Sequence, residues 1–282
     1  MSIKRILLPV NGRDDVSEVV HLAFDVARMV DAEVEVLHPY VPYYDAITTV
    51  GEAGSAAQIA RDIELARSRF ETENAQAKRL FETISEAHAD IKTSFVEMAG
   101  RAHEIVMRRA FSSDLIVIGN AKAFDSVFWR DVYDGALIHS ARPVLVAPTK
   151  PRTPVATDNF ASDVLIAWNG TAESARAVSA AEPFFANADQ VRILTIGDDS
   201  PQAETAEQMK VFATLHGANA SVRVIEAGNK SVAEVLIEDA SANPGTLLVM
   251  GAYSHARWRE RLFGGVTQDV LHQAGVPVLM AH

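Results

Sequence analysis

The chain is predicted to be α/β, with two tandem, doubly wound domains, each built on a five-stranded parallel sheet. Three observations predict it. First, the chain is written twice: Ile6-Leu-Leu-Pro-Val-Asn11-Gly12 returns as Val164-Leu-Ile-Ala-Trp-Asn169-Gly170. Asp114-Leu-Ile-Val-Ile-Gly119 returns as Thr246-Leu-Leu-Val-Met-Gly251, and Arg142-Pro143-Val-Leu-Val-Ala147 as Val276-Pro277-Val-Leu-Met-Ala281. A repeat of this length is a duplicated domain rather than a solenoid unit. Second, short apolar runs rich in β-branched residues alternate with longer amphipathic stretches, the pattern of a doubly wound sheet. Third, runs such as Leu115-Ile-Val-Ile118 are apolar at every position, which suits strands buried on both faces of a parallel sheet.

In chain order, the first half offers strands at Ile6–Val10, Val34–Leu37, Thr93–Glu97, Leu115–Ile118 and Val144–Ala147. Asp14–Asp31 reads as a helix opened by capping-type residues. Pro39–Ser55 is irregular, with Pro39, Pro42 and a cluster of Tyr40, Tyr43 and Tyr44 that reads as local packing of a loop. A long helix over Ser55–Ala89 follows, its charges forming a solvated face. Three prolines between Pro148 and Asp163 mark a linker, so the division is 1–150, linker 151–162, and 163–282. The second half offers strands at Val164–Trp168, Val191–Ile196, Ser221–Ile225, Leu247–Met250 and Val278–Ala281, with a helix over Thr171–Asn187. It turns quickly at Gly197–Pro201 where the first half carries its irregular stretch.

The 282 residues can hold two cores, and a 48% hydrophobic share is that of a globular protein. The net charge of −11 argues against nucleic acid and anionic membrane as partners. With no cysteine there are no disulfides, no thiol catalysis and no cysteine-ligated metal. The nine histidines show no zinc-ligand spacing with a third partner. No stretch looks like a secretory signal or a membrane span, and the expected location is cytoplasmic.

Chemistry concentrates after the fourth strand of the second half. Gly251 ends the strand, a polar loop carries Ser254, His255, Arg257, Arg259 and Arg261, and Gly264-Gly265-Val266-Thr267 opens the last helix. Glycines let a ligand approach the backbone, and a helix N-terminus offers unpaired N–H groups to an anion. Thr267 adds a hydroxyl. In the first half Gly119 survives, but no glycine pair opens the helix, and Arg130 and Asp131 stand near the equivalent place. A carboxylate there repels phosphate. The first crevice is therefore expected to have lost nucleotide binding.

On these motifs the chain resembles a tandem universal stress protein, with two such domains fused, over nearly its whole length. The family's ATP-binding pattern is Gly, two residues, Gly, nine residues, Gly, then Ser or Thr. Gly251 and Gly264 match it, while Ser254 replaces a glycine and Gly265 replaces the hydroxyl residue. Asn11 and Asn169 stand where the family usually has Asp beside the adenosine. The resemblance implies a Rossmann-like fold of the adenine nucleotide alpha hydrolase type, with strand order 3-2-1-4-5. It also implies that the fifth strands of the two halves pair antiparallel, giving an intrachain pseudo-dimer, with a further homodimer left open. The crevice lies where the chain reverses direction, between strands one and four. The implied ligand is an adenine nucleotide, ATP or AMP, with or without Mg. The implied contacts are Ala167, Trp168 and Asn169 after the first strand, Thr195 and Ile196 after the second, Met250, Gly251 and Ser254 after the fourth, and Gly264, Gly265, Val266 and Thr267 at the last helix. Trp168 reads more readily as packing under a helix than as a stacking platform.

No Walker motif, kinase signature, paired carboxylates or nucleophile–base pair appears, so the residues favour binding over catalysis. Two other readings stay open. One is a scaffold for an unknown protein partner with both crevices degenerate, favoured by Ser254 and Gly265. The other is a slow ATPase or self-phosphorylating enzyme.

Overall fold

The computed structural model describes residues 2–42, 56–120, 126–148, 159–197, 201–252 and 265–282. In the first half, β1 (Arg5–Pro9), β2 (Glu33–Tyr40), β3 (Thr93–Ala99), β4 (Leu115–Ile118) and β5 (Val144–Val146) alternate with α1 (Ser17–Val30), α2 (Ala56–Ala87), α3 (Ala102–Ala110) and α4 (Val127–Tyr133). The last helix widens into a π-helical turn at Asp134–Ile138. The second half repeats the order with β6 (Asp163–Ala167), β7 (Gln190–Ile196), β8 (Ala220–Ile225), β9 (Thr246–Gly251) and β10 (Val278–Ala281). Its helices are α5 (Ala172–Phe185), α6 (Pro201–Leu215), α7 (Val232–Ala240) and α8 (Gly265–Gln273).

The ten strands form one sheet in the order β3-β2-β1-β4-β5-β10-β9-β6-β7-β8. Within each half every pairing is parallel and the order is 3-2-1-4-5. The halves join where β5 and β10 run antiparallel, with Leu145 opposite Leu279. All ten expected strands are present. The apolar fifth strands, which would otherwise be open edges, cover each other. β1, β4, β6 and β9 are almost wholly buried because helices cover both faces.

The helix starts differ in chemistry. α5 opens on a capping box in which the Thr171 hydroxyl accepts the Ser174 N–H and the Ser174 hydroxyl accepts the Thr171 N–H. α1 begins at Ser17, after a longer lead-in than expected, with no side-chain cap on its N-cap residue. The 32 residues of α2 make it about 48 Å long. Ala77 and Ile84 anchor its C-terminal half in the core. The linker 149–158 and most of the irregular stretch after Pro42, with Tyr43 and Tyr44, lie outside the described residues. Tyr40 does pack locally, with its ring 5.4 Å from that of Phe70.

Each half buries one strand-to-helix ion pair, and the two have opposite polarity. In the first, Glu35 of β2 accepts from Arg109 of α3. In the second, Arg192 of β7 donates to Asp239 of α7 and, at 2.6 Å, to Asp163 of β6. Thr246 Oγ1 and Asn243 Nδ2 also donate to Asp163, at 2.7 and 3.3 Å. Burial alone would raise the Asp163 carboxyl, but Arg192 and these donors hold it below the ordinary carboxylate range.

Candidate functional site

In each half the chain turns back on itself between the first and fourth strands, and the crevice beyond their carboxyl ends is built from three pieces. These are the loop after the first strand, the end of the fourth strand, and the start of the last helix. Ala167 sits between Leu194 on one side and Met250 on the other, so the ends of β6, β7 and β9 lie side by side there.

Asn169 follows β6 and is exposed. Its Oδ1 accepts from the Thr171 backbone N–H at 3.3 Å and from the Thr171 hydroxyl at 2.9 Å. A backbone N–H can only donate, so the amide orientation is set. Asn169 thus has its NH2 group, rather than its oxygen, left to offer a ligand, and that group makes no hydrogen bond to another described residue. Gly170 carries the chain round the turn at φ +73°.

Gly251 has a structural duty the sequence did not reveal. A Cβ placed there would lie 2.6 Å from the Ser174 backbone nitrogen and 2.8 Å from the Glu173 carbonyl carbon. The glycine lets the first turn of α5 press against the end of β9. Glu173 therefore borders the crevice as well. Burial opposes its ionisation, but hydrogen bonds from its own backbone and Thr171 and the Arg176 charge keep its carboxyl below the ordinary range.

Gly265 opens α8. It is exposed, and nothing lies within 4 Å of where its Cβ would stand. Val266 is also exposed, while Thr267 is buried. Ser254, Gly264 and the basic residues His255, Arg257, Arg259 and Arg261 lie outside the described residues. Trp168 is buried beneath α6, its Nε1–H donating to Thr205 Oγ1 at 3.1 Å. Thr195, also buried, is the one described residue whose side-chain hydroxyl is fully enclosed with no hydrogen-bond partner. Ile196 is half-buried at the end of β7.

The first crevice is different. Asn11 Oδ1 accepts from the backbone N–H groups of Arg13 and Asp14, and its Nδ2 donates to Asp14 Oδ2 at 2.6 Å. The same carboxylate oxygen accepts Trp129 Nε1–H at 2.7 Å. Trp129 is 3% exposed, and its six-membered ring lies against Gly119. The Tyr133 hydroxyl donates to the Gly119 carbonyl. From outside, α2 presses on the turn: Glu73 and Ala77 backbone atoms lie within 2.8 Å of a Cβ built on Gly12. Asp131, the expected repulsive acid, instead lies inside α4, 3.9 Å from His103 of α3. The acid in the crevice is Asp14, whose counterpart in the second half is Ala172. An acid three residues after Asn11, in reach of its side-chain amide, was the signal available in the sequence.

A profile of the universal stress protein family matches residues 2–148 and again 162–282. The chain belongs to the universal stress protein family. No curated protein matches it. Among solved structures, it is similar to a universal stress protein from Archaeoglobus fulgidus DSM 4304, with a TM-score of 0.68 and 16% identity over 99% of this chain and 96% of that one. A putative universal stress protein from Pseudomonas aeruginosa UCBPP-PA14 follows at 0.57 and 16%, covering 98% and 92%. The cytoplasmic domain of a prokaryotic cation chloride cotransporter gives 0.53 and 14%, covering 98% and 94%. At these identities the likeness is one of fold. Among the described residues of this tandem universal stress protein, no helix is long and apolar enough to cross a membrane, and no group of three or more His, Asp or Glu side chains could hold a metal ion.

Proposed function

We propose that this universal stress protein serves in stress response by binding an adenine nucleotide, ATP or AMP, in the crevice of its second half. The observation that carries the reading is the start of α8. Its first residue is a glycine that no described residue crowds, and the first N–H groups of an α-helix have no partner within the helix, so this start can offer donors and the positive end of the dipole to an anion at the switch point. Asn169 adds an NH2 donor that no described residue takes up, suited to a ribose or phosphate oxygen. Ala172 stands where the first half has Asp14, and the acid that does border the second crevice, Glu173, is paired with Arg176. In this reading the nucleotide biases the conformation of a sensing protein, and the first half acts as a partner in the shared sheet. The carboxylate that borders the crevice, Glu173, is already engaged by Arg176, which favours binding over hydrolysis.

The test is a Gly265→Asp variant. Open space around Gly265 and its ordinary backbone angles accommodate the side chain, and an acid in the first helical turn is favourable to the helix. The variant is expected to melt at or slightly above the wild-type temperature. Wild-type protein is expected to gain melting temperature with ATP or AMP, as a ligand of the native state must produce. Gly265→Asp is expected to lose at least about tenfold in affinity, because the new carboxylate faces the phosphates. A wild-type melting curve unmoved by millimolar nucleotide would favour the scaffold reading instead.

A further inference from the structure

We propose that the crevice of the first half is a built site for a planar aromatic ring with an N–H on its rim, and that the chain fills it permanently with its own Trp129. The claim concerns the first half alone and stands whether or not the second half binds nucleotide.

Among the described residues, the loop after β1 and the end of β4 both meet the indole: Asp14 by a hydrogen bond and Gly119 by contact. Asn11, directly after β1, spends both ends of its amide on the loop. Its oxygen takes the Arg13 and Asp14 N–H groups, and its nitrogen donates to Asp14 Oδ2 at 2.6 Å. That positions the carboxylate to accept Trp129 Nε1–H at 2.7 Å. A charged acceptor on a buried indole N–H is a strong, directional contact. Phe128 packs on the indole in a T-shaped arrangement, with 5.1 Å between ring centres. Its far edge meets Gly119 at the end of β4, 3.8 Å from where a Cβ would stand, and Tyr133 ties the Gly119 carbonyl from the next turn of α4. α2 packs against the outer side of the loop, its backbone on the Gly12 turn and its Glu73 paired to Arg13, while Arg13 and Asp14 stay exposed. The result is a slot with an aromatic neighbour, a small-residue floor and one acid that reads the N–H. A buried indole N–H needs an acceptor, and where the second half gives Trp168 a neutral hydroxyl, the first half gives Trp129 a carboxylate held in place by Asn11.

The experiment is replacement of the plug by a free one. Trp129→Gly is expected to lower the melting temperature by about 10 °C, as removal of a large buried aromatic does. Millimolar indole is expected to restore a substantial part of that loss. Indene has nearly the same shape without the N–H and is expected to bind at least about tenfold more weakly. In Trp129→Gly combined with Asp14→Ala, that preference is expected to vanish. Equal rescue by indole and indene, or a folded Trp129→Gly unmoved by either, would overturn the proposal. If Trp129→Gly does not fold, the wild-type chain still decides. The Trp129 indole N–H proton is expected to exchange with solvent at least about a hundredfold more slowly than a free indole, and to accelerate in Asp14→Ala. Exchange at the free rate in the wild type would equally overturn it.

Discussion

Replacing Arg192 by leucine is expected to destabilise the second half by about 3–5 kcal/mol, the cost of leaving buried charges without their partner. Among the described residues, the two acids it serves have no alternative cation of comparable burial. The Asp163 side chain is 4% exposed and Asp239 10%. Asp239 retains Arg223 at 2.7 Å, but that arginine is 59% exposed and screened by water. Asp163 retains only the neutral donors Thr246 and Asn243. The expected pH dependence gives the test its specificity. In the wild type, the Asp163 carboxyl lies below its unfolded value, so it contributes stability that is complete above about pH 4 and drains away as pH falls further. Without Arg192 the burial that opposes ionisation is no longer outweighed, and acid ceases to be harmful at this site. The gap between variant and wild type in urea midpoint is therefore expected to be widest near pH 7 and to narrow toward pH 3. A loss under about 1 kcal/mol, or a gap independent of pH, would show that the pair is not the keystone its burial suggests. Arg109→Leu is the matching change in the first half, where Glu35 is similarly enclosed.

Such pairs also show where sequence reasoning works and where it stops. The strands were legible because their pattern is local. Runs like Leu7-Leu8 or Leu247-Leu248-Val249 are apolar at successive positions only if both faces of a sheet are covered, and the duplication fixed each reading twice. The β5–β10 seam was legible because two apolar edges in one chain have an obvious use for each other. The site was less so, since its contacts join residues far apart in sequence. Asp14 and Trp129 are 115 positions apart, and no periodicity links them. Asp131 looked like the blocking acid because alignment by loop length placed it there, whereas the earlier start of α4 at Val127 turns it toward His103. Asn169 was visible as a polar residue at the strand end, but only its bonds to Thr171 show that a donor, not an acceptor, is left facing out.

Gly251→Ala is the second change expected to have a large effect, and it separates two meanings of one glycine. Read as part of a cradle, Gly251 is there so that a ligand can come close. Read from the contacts, it is there so that α5 can. The added methyl would meet the Ser174 nitrogen at 2.6 Å and two Glu173 atoms at 2.8 Å, all but one of them backbone. Neither side can yield easily. Gly251 is registered against Ala281, and Ala252 N–H donates to the Ala281 carbonyl at 2.8 Å. On the other side the Thr171–Ser174 box clamps the first turn of α5. The cost is expected to reach the upper end of the 1–3 kcal/mol range for overpacking, about 3 kcal/mol, measured as a fall in the urea midpoint. Gly119→Ala makes the same change at the same strand position in the first half. There the nearest atoms are Trp129 ring carbons at 3.8 and 4.0 Å, an ordinary contact, and the expected cost is under about 1 kcal/mol. If the two variants cost the same, the close approach of α5 is not what requires glycine at 251. If Gly251→Ala is as stable as the wild type yet loses nucleotide, the ligand is what requires it. The contacts argue for a third result: a destabilised protein whose weakened binding follows from displacement of α5, because that displacement carries Asn169 and Thr171 with it.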